Sequence, residues 1–220
     1  MEDIDVMNKL RKIPVFSITD FRKIVRTTYA KQALMRLIKK KHVFRIIRNR
    51  FSVYNDPFVI APWLCRSSYL GSYSALRYHN LMTQLPQNIV CITGSAPKKI
   101  NILGTEVVYR HSKYIFGYEM KDYSDTKIPV SLPEKALIDS IGFTSLDMVL
   151  EEIGEFNKDI LWDLAQKMPN HIKRRIAYII YKVWKQENKV NSGRTIYLDP
   201  LGSKKGKINQ KYNIIENVIL

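Results

Sequence analysis

The sequence is short of acid, of cysteine and of long apolar runs. Its 220 residues hold 20 Asp and Glu against 36 Lys and Arg, a formal net charge of +16. A surplus of that size points to a polyanionic partner. Only two cysteines occur, Cys65 and Cys91. They make no CxxC and no metal-ligand spacing, which argues against a disulfide scaffold or a cysteine-held zinc and for a reducing compartment. The longest apolar run, Phe58 to Cys65, is eight residues and contains Pro62, well short of the roughly 18 that span a bilayer. Met1-Glu2-Asp3-Ile4-Asp5 carries acid where a signal peptide carries base. The expected location is the cytoplasm, with no membrane partner. There is no GxxxxGK[ST] phosphate loop. Ser72 and Ser74 lack a Gly-x-Ser-x-Gly frame and read as helix caps, not nucleophiles. His79 has no second His or carboxylate at ligand spacing and reads as structural. No catalytic residue, metal or cofactor is expected, and the chain is not read as an enzyme.

What is present suits a packed globular protein, with 45% hydrophobic and 25% charged residues. The cationic surplus is concentrated at the ends. Residues 1–54 hold 14 Lys and Arg against 4 Asp and Glu, residues 55–168 hold 11 against 13, and residues 169–220 hold 11 against 3. The partner suggested by charge alone is nucleic acid, an anionic membrane surface or an acidic protein.

The head, residues 1–55, reads as three helices and a hairpin. Ile4, Met7 and Leu10 recur at helical spacing, and Pro14 ends that helix. Ser17 or Thr19 can cap a second helix that turns Phe21, Ile24 and Val25 inward. Thr27 or Thr28 can cap a third, whose apolar stripe is Ala30, Ala33, Leu34, Leu37 and Ile38. Two short helices about a tight turn, the second basic on its outer face, make the pattern of a helix-turn-helix. Thr28, Tyr29, Lys31, Gln32 and Arg36 are the candidates for base edges, and Lys39 lies on the same face. His42 to Tyr54 is rich in β-branched and aromatic residues and turns at Asn49, a residue that tolerates positive φ. Such a hairpin would be a wing. Arg45, Arg48 and Arg50 are its candidates for phosphate or minor-groove contact.

Asp56-Pro57 marks the expected boundary, with an α+β domain over 56–220. Ser68 to Asn80 reads as a helix. Strand-like runs follow at Ile89–Thr93, Lys99–Leu103, Thr105–Arg110 and Tyr114–Met120, and their succession predicts antiparallel pairing. Glu119-Met120-Lys121 could be half of a metal-dependent nuclease site, with Glu106 or Asp122 as a strained third group. Helices are expected from Pro133, from Thr144 or Ser145 to Phe156, from Asn157 to Met168, and from Asn170 to Lys189. Beside the last helix's apolar stripe, Lys173, Arg174, Lys182 and Lys185 offer a second candidate polyanion surface. Strands around 195–220 are expected to join the middle sheet or form an edge hairpin, with 202–207 a mobile loop.

Four stretches carry a family likeness. They are Ala33-Leu34-Met35-Arg36-Leu37-Ile38-Lys39-Lys40, Asp56-Pro57-Phe58-Val59-Ile60-Ala61, Ser68 through Leu81, and Leu132-Pro133-Glu134-Lys135-Ala136-Leu137-Ile138-Asp139. In that order the chain resembles the AbiE-type antitoxins of abortive-infection, type IV toxin–antitoxin systems. The departures are Arg50 and Asn80 where glycines are expected, and Lys135 for an arginine. The resemblance implies a winged helix-turn-helix transcriptional autorepressor. It would bind operator repeats in double-stranded DNA; a homodimer on that DNA is one arrangement the sequence leaves open. It would also oppose a nucleotidyltransferase-like toxin, without need of a stable complex. The alternatives are a stand-alone regulator with a sensing domain and, on Glu119 and Lys121 alone, a DNA-targeted nuclease.

Overall fold

A computed structural model describes residues 3–82, 87–150 and 152–219. The protein is α+β, and its described residues form three sheets: a two-stranded hairpin, a six-stranded mixed sheet and a three-stranded mixed sheet. Two compact units make up the chain. One comprises Met1–Tyr69, Gln87–His111 and Met120–Pro129; the other comprises Leu70–Pro86, Ser112–Glu119 and Val130–Leu220. The residues after 55 are therefore shared between the units, so that 56–69 goes with the head.

The head begins with α1 (Asp3–Arg11), α2 (Ile18–Val25) and α3 (Ala30–Lys39). Ser17 caps α2 through a reciprocal box. Its hydroxyl accepts from the Asp20 amide at 3.2 Å, and the Asp20 carboxylate accepts from the Ser17 amide at 2.9 Å. Arg26 ends α2 at φ 50, a left-handed conformation usually left to glycine. Neither Thr27 nor Thr28 caps α3. Tyr29 holds the cap position without a side-chain bond, and the Thr27 hydroxyl accepts from the Tyr29 amide at 3.2 Å. Val6, Leu10, Phe16, Phe21, Ala30, Leu34, Leu37 and Val43 form one buried cluster. α2 and α3 turn their expected apolar residues inward, but α1 buries Val6 and Leu10 while the expected Ile4 is 67% exposed and Met7 only partly buried; burial stabilises the head by about 1.5–3 kcal/mol for each large side chain.

The strands β1 (Phe44–Ile47) and β2 (Arg50–Ser52) pair antiparallel through a turn where Asn49 has φ 55. The hairpin is fixed to the head at three points. Phe16 and Phe51 exchange backbone bonds at 2.9 Å, the Ile18 amide donates to Asn49 Oδ1 at 3.3 Å, and the Tyr54 hydroxyl donates to the Arg11 carbonyl at 2.9 Å.

Beyond the head, Asp56 caps the one-turn α4 (Pro57–Ile60), which runs into a 3-10 turn at Ala61–Trp63. The larger sheet contains β3 (Ser68–Leu70), β4 (Ile89–Thr93), β5 (Lys98–Ile102), β6 (Thr105–His111), β7 (Tyr118–Tyr123) and β8 (Thr126–Ser131), in the order β5-β6-β4-β3-β8-β7. Purely antiparallel pairing is not what forms. β5 and β6 are an antiparallel hairpin turning at Leu103 and Gly104, but β4–β6 and β3–β8 are parallel. The cause lies in composition. Every residue of β4 is buried, so it takes a central place, whereas Lys98 and Lys99 keep β5 at an edge. The last strands also shift: β7 starts four residues later than expected, and β8, which contains Pro129, was not among the expected runs.

Ser68–Leu70 is strand, not helix. Gly71 is extended and Ser72 has φ 51, so α5 starts at Ser72 and ends at Tyr78. Neither Ser72 nor Ser74 acts as a cap, because Gly71 holds that position. The C-terminal helices are α6 (Pro133–Ser140), α7 (Leu146–Val149), α8 (Lys158–Gln166) and α9 (Asn170–Trp184), with a 3-10 turn at Ile153–Glu155. α7 is one turn, much shorter than expected. Asn157 caps α8, but Pro169 rather than Asn170 precedes α9. Lys185, at φ 58, stops α9 ahead of the expected Lys189. The strands β9 (Ile196–Tyr197), β10 (Lys207–Asn209) and β11 (Ile214–Glu216) form their own sheet, ordered β10-β11-β9, and do not extend the larger one. The loop 202–207 is held, not free. The Tyr197 hydroxyl donates to the Lys204 carbonyl at 3.2 Å, and a Cβ on Gly206 would lie 2.1 Å from the Glu216 carbonyl oxygen.

Candidate nucleic-acid interface

Helix α3 divides cleanly into two faces. Ala30, Leu34 and Leu37 are buried, and Ala33 and Ile38 are partly so. The apolar stripe leaves Lys31, Gln32, Arg36 and Lys39 on the solvent side, all exposed. Thr28 and Tyr29, just before the helix, are exposed too, Tyr29 by 69%. A tyrosine so little covered contributes nothing to the core and leaves its ring available for contact. Arg45, Arg48 and Arg50 on the hairpin are likewise exposed. All nine positions singled out in the head therefore lie at the surface of one compact unit. Arg50 has a local tie, donating to the Asn49 carbonyl at 3.3 Å.

Sequence reasoning passed over Arg26, Lys40 and Lys41, which are also exposed, between α2 and α3 and at the end of α3. Arg26 and Lys41 have φ 50 and 57, so they sit in the two tight turns that bracket α3. Side-chain type gave the signal, but the turn geometry that places them there did not show. One acid lies in this region: the backbone and hydroxyl bonds from Ser17 hold the Asp20 carboxyl below its ordinary value, with Lys23 and Arg50 adding smaller attractions.

The second basic surface is not what the sequence suggested. Arg174 is 2% exposed. Its Nε and Nη2 donate to the Tyr212 carbonyl at 2.9 and 2.8 Å, Nη1 to the Arg194 carbonyl at 2.8 Å, and Nη2 to the Asn213 carbonyl at 2.6 Å. Arg174 must be removed from any polyanion surface, since its fork ties α9 to the terminal strands. Its neighbour Arg175 is buried as well and donates to the Tyr197 and Leu198 carbonyls. Burial lowers both guanidinium groups, Arg175 to about 10 with Arg174 repelling it and Asp199 partly compensating. Lys182 pairs with Glu216 at 3.1 Å, and Lys185 donates to the Lys182 carbonyl at 2.9 Å. Of the four residues only Lys185 is exposed; Lys173 and Lys182 are half-buried.

Glu119 and Lys121 stand on β7, at the end of the sheet, and the adjacent β8 carries no carboxylate. Glu106 is paired with Lys99 at 3.6 Å, and Asp122 with Lys127 at 3.7 Å. Among the described residues no three His, Cys, Asp or Glu side chains come together. His79 accepts a structural place: its Nε2 lies 2.8 Å from the Ser131 carbonyl. Ser72 and Ser140 share a hydroxyl–hydroxyl bond of 2.9 Å, and both are buried. α5 and α6, which carry two of the four motif stretches, are thus joined to each other and serve the interior. Lys135 on α6 is also buried, bonded to Asp139 one turn on and lying over the Phe116 ring.

Among the described residues no helix is long and apolar enough to cross a membrane. No protein-family model matches the chain, and no curated protein matches it. One solved structure similar to it is the RV2827C protein from Mycobacterium tuberculosis. The TM-score is 0.60 at 11% identity, over 96% of this chain and 90% of that one. At that identity the likeness concerns the fold alone.

Proposed function

We propose that residues 1–54 are a winged helix-turn-helix that binds duplex DNA, with α3 in the major groove and the β1–β2 hairpin as the wing. The observation that carries the reading is the outward face of α3. Lys31, Gln32, Arg36 and Lys39 project from a helix whose other side is sealed into the core, beside a hairpin bearing exposed Arg45, Arg48 and Arg50. Gln and Arg present the bidentate donors and acceptors that read adenine and guanine, while the wing arginines suit phosphates or a narrow minor groove. With this goes the wider reading from the four sequence stretches: a cytoplasmic AbiE-type antitoxin that represses its own operon and opposes a nucleotidyltransferase-like toxin, with no catalysis of its own.

The test is fluorescence anisotropy with the full chain and the DNA upstream of its reading frame, titrated with salt. Neutralising about six phosphates gives a slope of log K against log salt near −5. Arg48→Ala and Arg50→Ala weaken binding to all sequences and flatten that slope, whereas Gln32→Ala and Arg36→Ala narrow the gap between specific and random DNA by about 1–3 kcal/mol per contact. A salt-independent signal, or wild-type affinity in all four variants, refutes the reading.

A further inference from the structure

The six-stranded sheet ends at β5 on one side and β7 on the other, and the two edges differ. β5 opens with exposed Lys98 and Lys99, like charges that repel an identical strand. β7 reads Tyr118-Glu119-Met120-Lys121-Asp122-Tyr123, with Tyr118 39% and Met120 46% exposed. It therefore combines uncovered apolar surface with charges of both signs.

We propose that β7 is a self-pairing edge, on which a second copy of this chain adds antiparallel with Met120 opposite Met120. Symmetry and strand length together select that register, since centring on Tyr118 or Tyr123 leaves only that one residue of β7 opposite its copy. Two identical antiparallel strands related by a two-fold axis normal to the sheet must place some residue opposite its own copy, because any other register turns one strand's faces over. Centring on Glu119, Lys121 or Asp122 sets two like charges face to face, which destabilises the pair. Centring on Met120 sets none. It places Glu119 opposite Lys121 of the second copy, and Lys121 opposite its Glu119, on one face. On the other face, Met120 meets Met120 between two Tyr118–Asp122 pairs. Directly opposed side chains are about 5 Å apart at Cβ, close enough for both ion pairs and the methionine contact. The Glu-x-Lys spacing is the spacing that this symmetry requires for charge complementarity. The inference does not depend on DNA binding. A two-fold dimer would supply two copies of the head, the arrangement that a repeated operator calls for.

The experiment is sedimentation equilibrium of the full chain without DNA, over a range of concentrations at low salt. The expected result is a monomer–dimer equilibrium that weakens as salt is raised. Glu119→Lys converts both Glu–Lys pairs to Lys–Lys and weakens dimerisation at least tenfold, and Lys121→Glu does the same. The combined Glu119→Lys, Lys121→Glu variant exchanges the charges and restores the dimer. Circular dichroism confirms that each variant is folded. A monomer at every concentration overturns the proposal, as does a dimer indifferent to the single changes or a double variant that remains as weak as the singles.

Discussion

Replacing Arg174 by alanine separates a structural from an electrostatic role for the cationic tail. The guanidinium makes four hydrogen bonds to three carbonyls, on Tyr212, Asn213 and Arg194, and no carboxylate bonds to it among the described residues. Hydrogen bonds to a charged group contribute about 1.5–3 kcal/mol each, and a buried carbonyl left without a donor costs about 1–3 kcal/mol. The four are not independent, since Tyr212 accepts two of them and the Arg194 end is only partly buried. A total of about 3–5 kcal/mol is expected, comparable with breaking other buried ionic contacts. Against a total stability of about 5–15 kcal/mol, that is a severe loss. Urea unfolding followed by the fluorescence of the three tryptophans, Trp184 at the end of α9 among them, reads the change as a lowered midpoint. Arg174→Lys recovers only part, because an ammonium cannot reproduce the planar fork. The salt slope of the proposed DNA binding, measured well below the unfolding midpoint, stays as in wild type. An alanine variant that loses less than about 1 kcal/mol, or one that changes the salt slope while remaining stable, refutes the assignment.

Two further expectations concern the head. Asn49→Gly leaves the urea midpoint nearly unchanged in conformational terms and loses only the bond from Ile18, whereas Asn49→Val adds a strain of about 1–2 kcal/mol at φ 55. Equal midpoints for the two variants count against the turn geometry. Asp20 has a folded-state pKa below the ordinary 3.8, so its contribution is complete above that value and is lost as pH falls through the folded one. Ser17→Ala removes the cap, at about 1 kcal/mol near neutral pH, and the gap from wild type narrows as pH falls below 4. A gap that is constant down to acid pH excludes the charged capping box as its source.

Much of the head was legible because its cues are local. A cap at Ser17 or Thr19, the stripe from Ala30 to Ile38, and Asn49 at a two-strand turn each act within a few residues, so spacing alone reveals them. The sheet was less legible. Nothing near β4 tells that its partner is the parallel β6, since that follows from β5 folding back as a hairpin and taking the edge. The backbone reversal at Ser72 hid in a serine, a residue that does not announce positive φ as glycine does. Arg174 misled for a related reason. Arginine on the flank of an amphipathic helix normally reaches solvent, and only the return of residues 194–213 over α9 supplies the carbonyls that draw it inward.

The three anchors of the β1–β2 hairpin bear on the thermodynamics of any association made there. With Phe51, Asn49 and Tyr54 already tied to the helices, the backbone between Phe44 and Ser52 has little freedom left to surrender on docking. What remains to be immobilised is the long stems of Arg45, Arg48 and Arg50, at up to about 2 kcal/mol each. Any ligand docking at this hairpin would meet a held backbone frame carrying supple cationic arms, which could adjust by rotamer changes while the frame stays put.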